Sequence, residues 1–265
     1  MSSGRSGWKG VRAVTRLLYE GKAKQVFATD ERDVVRIHFK DDATALDGKK
    51  RGTIEGKGAV NARVSAVFFE YLAGRGVATH YLGMAGDRDL LARRVTIIPL
   101  EVVVRNVAAG SLAKRLGWEE GRPVAPPIVE LYLKDDALGD PLINHYHVRA
   151  LAVASDGERQ RLEETALAVN GLLVPFLSRK GLRLIDFKLE FGRDAGGDIL
   201  LADELSPDTC RLWDSDSGYR MDKDRFRRDL GGVADAYQEV LRRLEGGESD
   251  AVAGAGRGDP QAGSA

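Results

Sequence analysis

Apolar and polar positions alternate with a period of two through the first third of the chain. "RLLYEG" and "KQVFATD" flank a turn at Gly21–Lys24, "VVRIHF" follows, and all three read as strands. The period then changes. Val60, Val64, Val67, Phe68, Tyr71 and Leu72 recur at helical spacing, with Gly74 and Gly76 beyond them, which predicts a helix over about Lys57–Leu72. Strands resume at "HYLGM", "LLARRV" and "LEVVVRN". A short helix is expected at Leu112–Leu116, capped by Ser111 and stopped by Gly117. A longer one starts near Ser155, where Ser155 and Glu158 form a capping box, and Pro175 is expected to kink or break it. "DFKLEFG" and "DILLADEL" then form a hairpin. A last amphipathic helix runs from about Lys223 to Leu244, with Phe226, Leu230, Val233, Tyr237, Val240, Leu241 and Leu244 inward. Strands crowd the first half and helices flank a hairpin in the second, so the class is α+β rather than a βαβ alternation.

The hairpin carries the chemistry. Alternation puts Asp186, Lys188 and Glu190 on one face and Phe187, Leu189 and Phe191 on the other, the core face. A two-residue turn at Gly196–Gly197 sets Glu190 opposite Asp203, with Cβ atoms roughly 5 Å apart. Facing carboxylates need a cation between them. Lys188 is near enough to help, and Mg²⁺ is commonly held by one or two carboxylates plus substrate phosphates. The alternative is a solvated face of alternating charge, and a slip of one residue would undo the pairing.

Composition narrows the partners. The 265 residues carry 40 Lys+Arg and 40 Asp+Glu, so the formal net charge is zero and nothing marks nucleic acid or an anionic membrane as a partner. A single cysteine, Cys210, excludes an intrachain disulfide and suits a reducing compartment. No apolar run approaches a membrane span and the N-terminus lacks a secretory signal, so a cytoplasmic protein is expected. Residues 1–13 read as a flexible lead-in and 246–265 as a disordered tail. Four histidines show no zinc spacing with the cysteine, and no Ser-His-Asp signature is present.

Other stretches add candidates, each with a bland alternative as a solvated loop or capped helix. Lys22 and Lys24 sit beside a glycine-containing turn, as a phosphate cover would. In "VVVRNVAAGSLAKRLG" a strand delivers Arg105, and a Gly110–Ser111 turn opens a helix; arginine, hydroxyl and free N–H groups suit an anion. "DELSPDTCRLWD" concentrates Asp203, Glu204, Asp208, Arg211 and Asp214 after the hairpin. "YLKDDALGDP" offers Lys134, and "FKDDATALDG" offers Asp41 and Asp47.

Together these stretches, with "LLYEGKAKQVFATD", "GKGAVNARVS" and "DKDRFRRDLGG", resemble the SAICAR synthetase family, in family order from about Leu17 to Leu244. The resemblance implies an N-terminal β-rich lobe (14–100) similar to the small lobe of protein kinases. It implies a C-terminal α+β lobe (101–245) and ATP in a cleft between the two. It implies a reaction in which ATP, carboxyaminoimidazole ribonucleotide (CAIR) and L-aspartate give the succinocarboxamide SAICAR, ADP and phosphate. Carried onto these residues, Lys22 and Lys24 would cover the ATP phosphates, and Glu190 and Asp203 would hold Mg²⁺. Lys188 would lie near the transferring phosphoryl group or the aspartate. Arg105 and Ser111 would bind the ribonucleotide phosphate, and Asp208 and Arg211 would orient CAIR and aspartate. Lys134, Asp41 and Asp47 would close the site. Asp186 is left without a role, as is His145, which stands where some members carry an acidic residue. A homo-oligomer is expected. Two rivals stay open, a phosphotransferase that stops at the phosphorylated product and a nucleotide-binding regulator without turnover.

Overall fold

Two antiparallel sheets meet at a helix. The structure, a computed structural model, describes residues 13–45 and 50–246. The lead-in through residue 12, Asp47 and the tail from residue 247 lie outside them. β1 (Ala13–Glu20), β2 (Lys24–Thr29) and β3 (Val34–Phe39) form the expected meander. A small hairpin that the pattern does not show follows, β4 (Asp42–Ala45) with β5 (Lys50–Thr53). Helix α1 (Lys57–Ala73) comes next, then β6 (Tyr81–Gly86) and β7 (Asp89–Arg93), which complete a first sheet in the order β1-β2-β3-β7-β6.

The second sheet begins with β8 (Thr96–Val107), so the change of sheet falls at Arg94–Val95, a few residues before the expected 100/101 boundary. The short helix α2 (Gly110–Leu116), β9 (Pro123–Leu133), β10 (Leu142–Ile143), α3 (His145–Leu151) and α4 (Asp156–Ser178) follow. Then come β11 (Leu182–Arg193), β12 (Ile199–Ala202), β13 (Cys210–Asp214), α5 (Asp224–Arg227) and α6 (Val233–Glu245). The sheet order is β10-β9-β8-β11-β12, and β13 also pairs with β11. Among the described residues every paired set of these strands is antiparallel, with one isolated parallel bridge between Thr79 and Leu201, which matches the α+β class.

Burial explains the arrangement. On β11, Phe187, Leu189 and Phe191 are at most 1% exposed and pack with Phe68 of α1 and Leu173 of α4. Each such side chain contributes about 1.5–3 kcal/mol. Helix α1 serves both halves. Val64 and Phe68 enter this core, while Ala62 and Ala66 join Val35, Ile37 and Leu90 under the first sheet. Backbone bonds from His80 N to Leu201 O and from Leu201 N to Ala78 O, both 2.9 Å, tie the sheets at a second point. Among the described residues no helix is long and apolar enough to cross a membrane.

Several expectations need correction. The turn at the 196–197 hairpin is one residue longer than expected. Gly197 N bonds Asp194 O at 3.0 Å and Gly197 takes φ 86°, giving a three-residue loop. Glu190 therefore opposes Ala202, not Asp203. Ser111 lies inside α2 rather than capping it; Ala109 holds the cap position. Helix α4 continues through Pro175 to Ser178. The final helix is two, because Asp229, Gly231 and Gly232 adopt positive φ between α5 and α6, and Leu230 is exposed there. β9 carries Pro123, Pro126 and Pro127 and was not expected; β10 covers only its Leu131–Tyr132 end, so the prolines sit where no ladder bond is needed on that side.

Candidate active site

One cleft of about 980 Å³ lies between the sheets. Strand alternation supplies its floor. Ile97, Pro99, Glu101, Val103 and Arg105 of β8 all line it, every second residue, as do Asp186, Lys188 and Glu190 of β11. The register pairs Asp186 with Arg105, Lys188 with Val103 and Glu190 with Glu101. Two carboxylates do face each other, but the pair is Glu190 with Glu101. Lys188 Nζ lies between them, 2.5 Å from Glu101 Oε1 and 2.7 Å from Glu190 Oε1. Lys134 adds a second bond to Glu190 at 2.9 Å. Burial would pull the Lys188 amine down, but Glu190 and Glu101 overrule it and hold it protonated well above its usual range.

The first sheet supplies the roof. Leu18, Val26, Val35 and Ile37 give it an apolar shelf, with Lys22 and Lys24 at the adjoining turn. Lys24 reaches across to Asp203 at 2.5 Å and Glu204 at 2.9 Å. Burial opposes the charge on Asp203, yet Lys24 holds its pKa below the usual carboxylate value. Asp203 follows the end of β12 with φ 62° and still lines the cleft with Glu190. Lys22 is half-exposed at the mouth and pairs with Asp136 at 2.7 Å.

A third corner is built around arginines. Arg105, 3% exposed, donates from Nε to Glu130 (2.9 Å), from Nη1 to Asp186 (2.8 Å) and from Nη2 to Ser111 Oγ (3.1 Å) and Tyr132 Oη (3.0 Å). Arg211 donates from Nη1 to both Asp186 oxygens and from Nε to Asp224. Its Nη2 lies against Gly110, where an added Cβ would sit 2.5 Å away. Beyond it, Asp208 accepts from Lys57 Nζ (2.9 Å) and Tyr237 Oη (2.7 Å), with Lys223 at 3.7 Å. Burial works against the Asp208 carboxylate, but Lys223 and Lys57 keep it well below the usual range. Ten cationic and eight carboxylate side chains line the cleft, a surplus that favours anions.

A family model described as SAICAR synthetase matches residues 17–244. The chain belongs to the SAICAR synthetase family. Phosphoribosylaminoimidazole-succinocarboxamide synthase of Brevibacillus brevis is 56% identical over 229 residues, which cover 86% of this chain and 96% of that relative. The synthase of Prosthecochloris aestuarii is 58% identical over 228 residues, 86% of this chain and 97% of its own. The crystal structure of the Ehrlichia chaffeensis synthase superimposes with a TM-score of 0.85 at 41% identity, covering 86% of this chain and 98% of that one. A SAICAR synthetase in complex with ADP gives 0.84 at 49% identity, covering 89% and 100%. As a SAICAR synthetase the chain is a carbon–nitrogen ligase that forms SAICAR in purine biosynthesis at the expense of ATP.

Of the residues singled out from sequence, Lys22, Lys24, Arg105, Ser111, Lys134, Lys188, Glu190, Asp203, Asp208 and Arg211 all line this synthetase cleft. Asp41 does not. Its carboxylate accepts from Gly58 N at 2.8 Å at the start of α1, whose own N-cap, Gly56, has no side chain to offer. Asp208 and Arg211, expected to act together, hold different partners. Sequence reasoning missed Glu101, although β8 alternation already placed it with Arg105. It also missed Lys57, read only as the start of a helix, and the pair Lys223 and Arg227 at the cleft wall. His80 was missed too; burial pulls its ring down to about 4, so it is neutral beside Asp203 and Lys24.

Proposed function

We propose that this cleft performs both halves of the ligation. A carboxylate oxygen of CAIR attacks the γ-phosphorus of ATP and ADP leaves. The amine of L-aspartate then attacks the acyl carbon, the C–O bond to phosphate breaks, and the nitrogen loses its proton. The observation that carries this reading is the meeting, in one cavity, of an apolar shelf, a lysine–carboxylate floor and an arginine–serine corner. The shelf of Leu18, Val26, Val35 and Ile37 suits a purine base, and Lys22 and Lys24 suit the ATP phosphates. Arg105 and Ser111, joined by Arg211 Nη2, suit the phosphate of the ribonucleotide. Lys223, 3.7 Å from Asp208, and Arg227 are further cations of the cleft wall that suit the carboxylates of aspartate. Lys134 and Lys188 lie over Glu190, between the two anion sites, where the phosphoryl group would pass.

Glu190 and Asp203 are assigned Mg²⁺. Among the described residues no group of three or more His, Cys, Asp or Glu is arranged to hold a metal ion. Two carboxylates suit Mg²⁺ all the same, since it takes oxygen ligands and shares them with substrate phosphates. When bound, it neutralises phosphate charge during transfer. A reducing cytoplasm suits the single buried Cys210, and a homo-oligomer, to be measured by light scattering, completes the reading.

The test is ADP release from purified protein given ATP, Mg²⁺ and CAIR, with and without L-aspartate. ADP that requires aspartate, together with SAICAR, is the expected result. ADP without aspartate would indicate a phosphotransferase. No ADP from folded protein would indicate a regulator.

A further inference from the structure

Asp186 is buried in the middle of the second sheet, 3% exposed, yet it is charged and faces the cleft. Its neighbours explain why. It lies opposite Arg105 on β8 and opposite Arg211 on β13, so three strands carry the row arginine–aspartate–arginine. Both guanidiniums turn inward to it. Asp186 Oδ2 accepts from Arg105 Nη1 at 2.8 Å and from Arg211 Nη1 at 2.8 Å, and Oδ1 accepts from Arg211 Nη1 at 3.0 Å.

Each arginine also has a carboxylate on its outer side. Glu130 takes Arg105 Nε and Asp224 takes Arg211 Nε. Each guanidinium is therefore held between an outer and an inner carboxylate, and the inner one is shared. Two guanidiniums repel each other and, without Asp186, each has an outward partner to retreat to. With Asp186 in place, the same edges converge on one spot. Arg105 Nη2 reaches Ser111 Oγ, and Arg211 Nη2 faces Gly110, the residue before it.

We propose that Asp186 is a positioning residue that fixes the spacing of Arg105 and Arg211, and so sets recognition of the ribonucleotide's phosphate. This rests on the reading that the arginine corner takes that phosphate. The residue itself touches no reacting atom. Its carboxylate lowers the net charge of the corner while pre-ordering two donors, so that a phosphate meets an assembled fork.

The experiment compares kcat/KM for CAIR and for its dephosphorylated riboside, with KM for ATP and for L-aspartate measured alongside. Wild type is expected to prefer the nucleotide strongly. Asp186→Asn should cut that preference about tenfold or more, as loss of aligned charge-assisted bonds implies, and leave KM for ATP nearly unchanged. Should that variant fail to fold, Asp186→Glu keeps the charge and displaces it by one methylene, and the preference should fall there too. Preference intact in a folded Asp186 variant overturns the proposal. A wild type that takes nucleotide and riboside equally well overturns instead the reading of the corner as a phosphate site.

Discussion

Lys57→Met tests how the cleft wall is held. Lys57 and Asp208 form an ion pair whose side chains are only 1% and 4% exposed. Methionine keeps most of the stem volume and removes the charge. Asp208 would retain the Tyr237 hydroxyl at 2.7 Å and Lys223 at 3.7 Å. Breaking a buried pair from one side costs about 3–5 kcal/mol, and the two surviving partners put this case at the low end, about 3 kcal/mol. At about 2–4 °C per kcal/mol for a chain of this size, Tm falls by roughly 6–12 °C. Thermal and urea unfolding at pH 7 of wild type, Lys57→Met, Asp208→Asn and the double variant measures it. The double variant removes both members of the Lys57–Asp208 pair, so the penalty for stranding one of them is not paid twice, and its loss should be smaller than the sum of the two single losses by about 1 kcal/mol or more. A shift under about 2 °C in Lys57→Met, or a double variant at the additive sum, refutes the buried-pair reading.

Glu190→Gln should lose Mg²⁺-dependent turnover with an unchanged circular dichroism spectrum; full activity would sink the metal assignment. Gly110→Ala places a Cβ 2.5 Å from Arg211 Nη2 at a residue with φ 50°. KM for CAIR should rise about tenfold, for one lost charge-assisted bond, while KM for ATP holds. Glu158→Gln weakens the α4 capping box, at a cost of about 1 kcal/mol near neutrality. Arg193 and the Ser155 N–H pull the Glu158 carboxyl from 4.5 down to about 2. A lowered folded pKa means that this stability is present above the unfolded value and fades as pH falls from 4.5 towards 2. The difference in Tm between wild type and variant should therefore shrink over that range, and a constant difference would count against the assignment.

The parts legible in the sequence were those governed by one local period. The meander β1–β3, helix α1, the Ser155 cap and the charged face of β11 follow from periods of two and 3.6. Partners across the fold were not legible. Lys57 stands at the head of a helix, and nothing near it in the chain tells that Asp208, 151 residues away, accepts its proton bond. Asp41 reads as a cleft-closing acid beside Lys40, whereas its carboxylate serves a helix start 17 residues on. Arg105 and Ser111 lie six residues apart and were legible together. The carboxylate that Arg105 shares with Arg211, Asp186, depends on β11 lying between β8 and β13, which no local pattern shows.

The hairpin shows how a shifted register can still bring two expected carboxylates into one cavity. The turn is one residue longer than Gly196–Gly197 suggests, and a slip of one residue moves every later side chain on that strand to the opposite face. Asp203 should then point away from Glu190, whose direct partner is Ala202. It lines the cleft nonetheless, because β12 ends at Ala202 and Asp203 takes a left-handed backbone, φ 62°, which breaks the alternation. Such a conformation costs a residue with a Cβ about 1–2 kcal/mol, and it persists where surrounding contacts fix it. Here Lys24, from the other sheet, supplies such a contact at 2.5 Å. The strain is confined to one residue at the end of a strand, and that residue is a carboxylate of the cleft. A uniform ladder could not have put Glu190 and Asp203 in the same cavity with this turn length; a strand that stops and twists at one aspartate does.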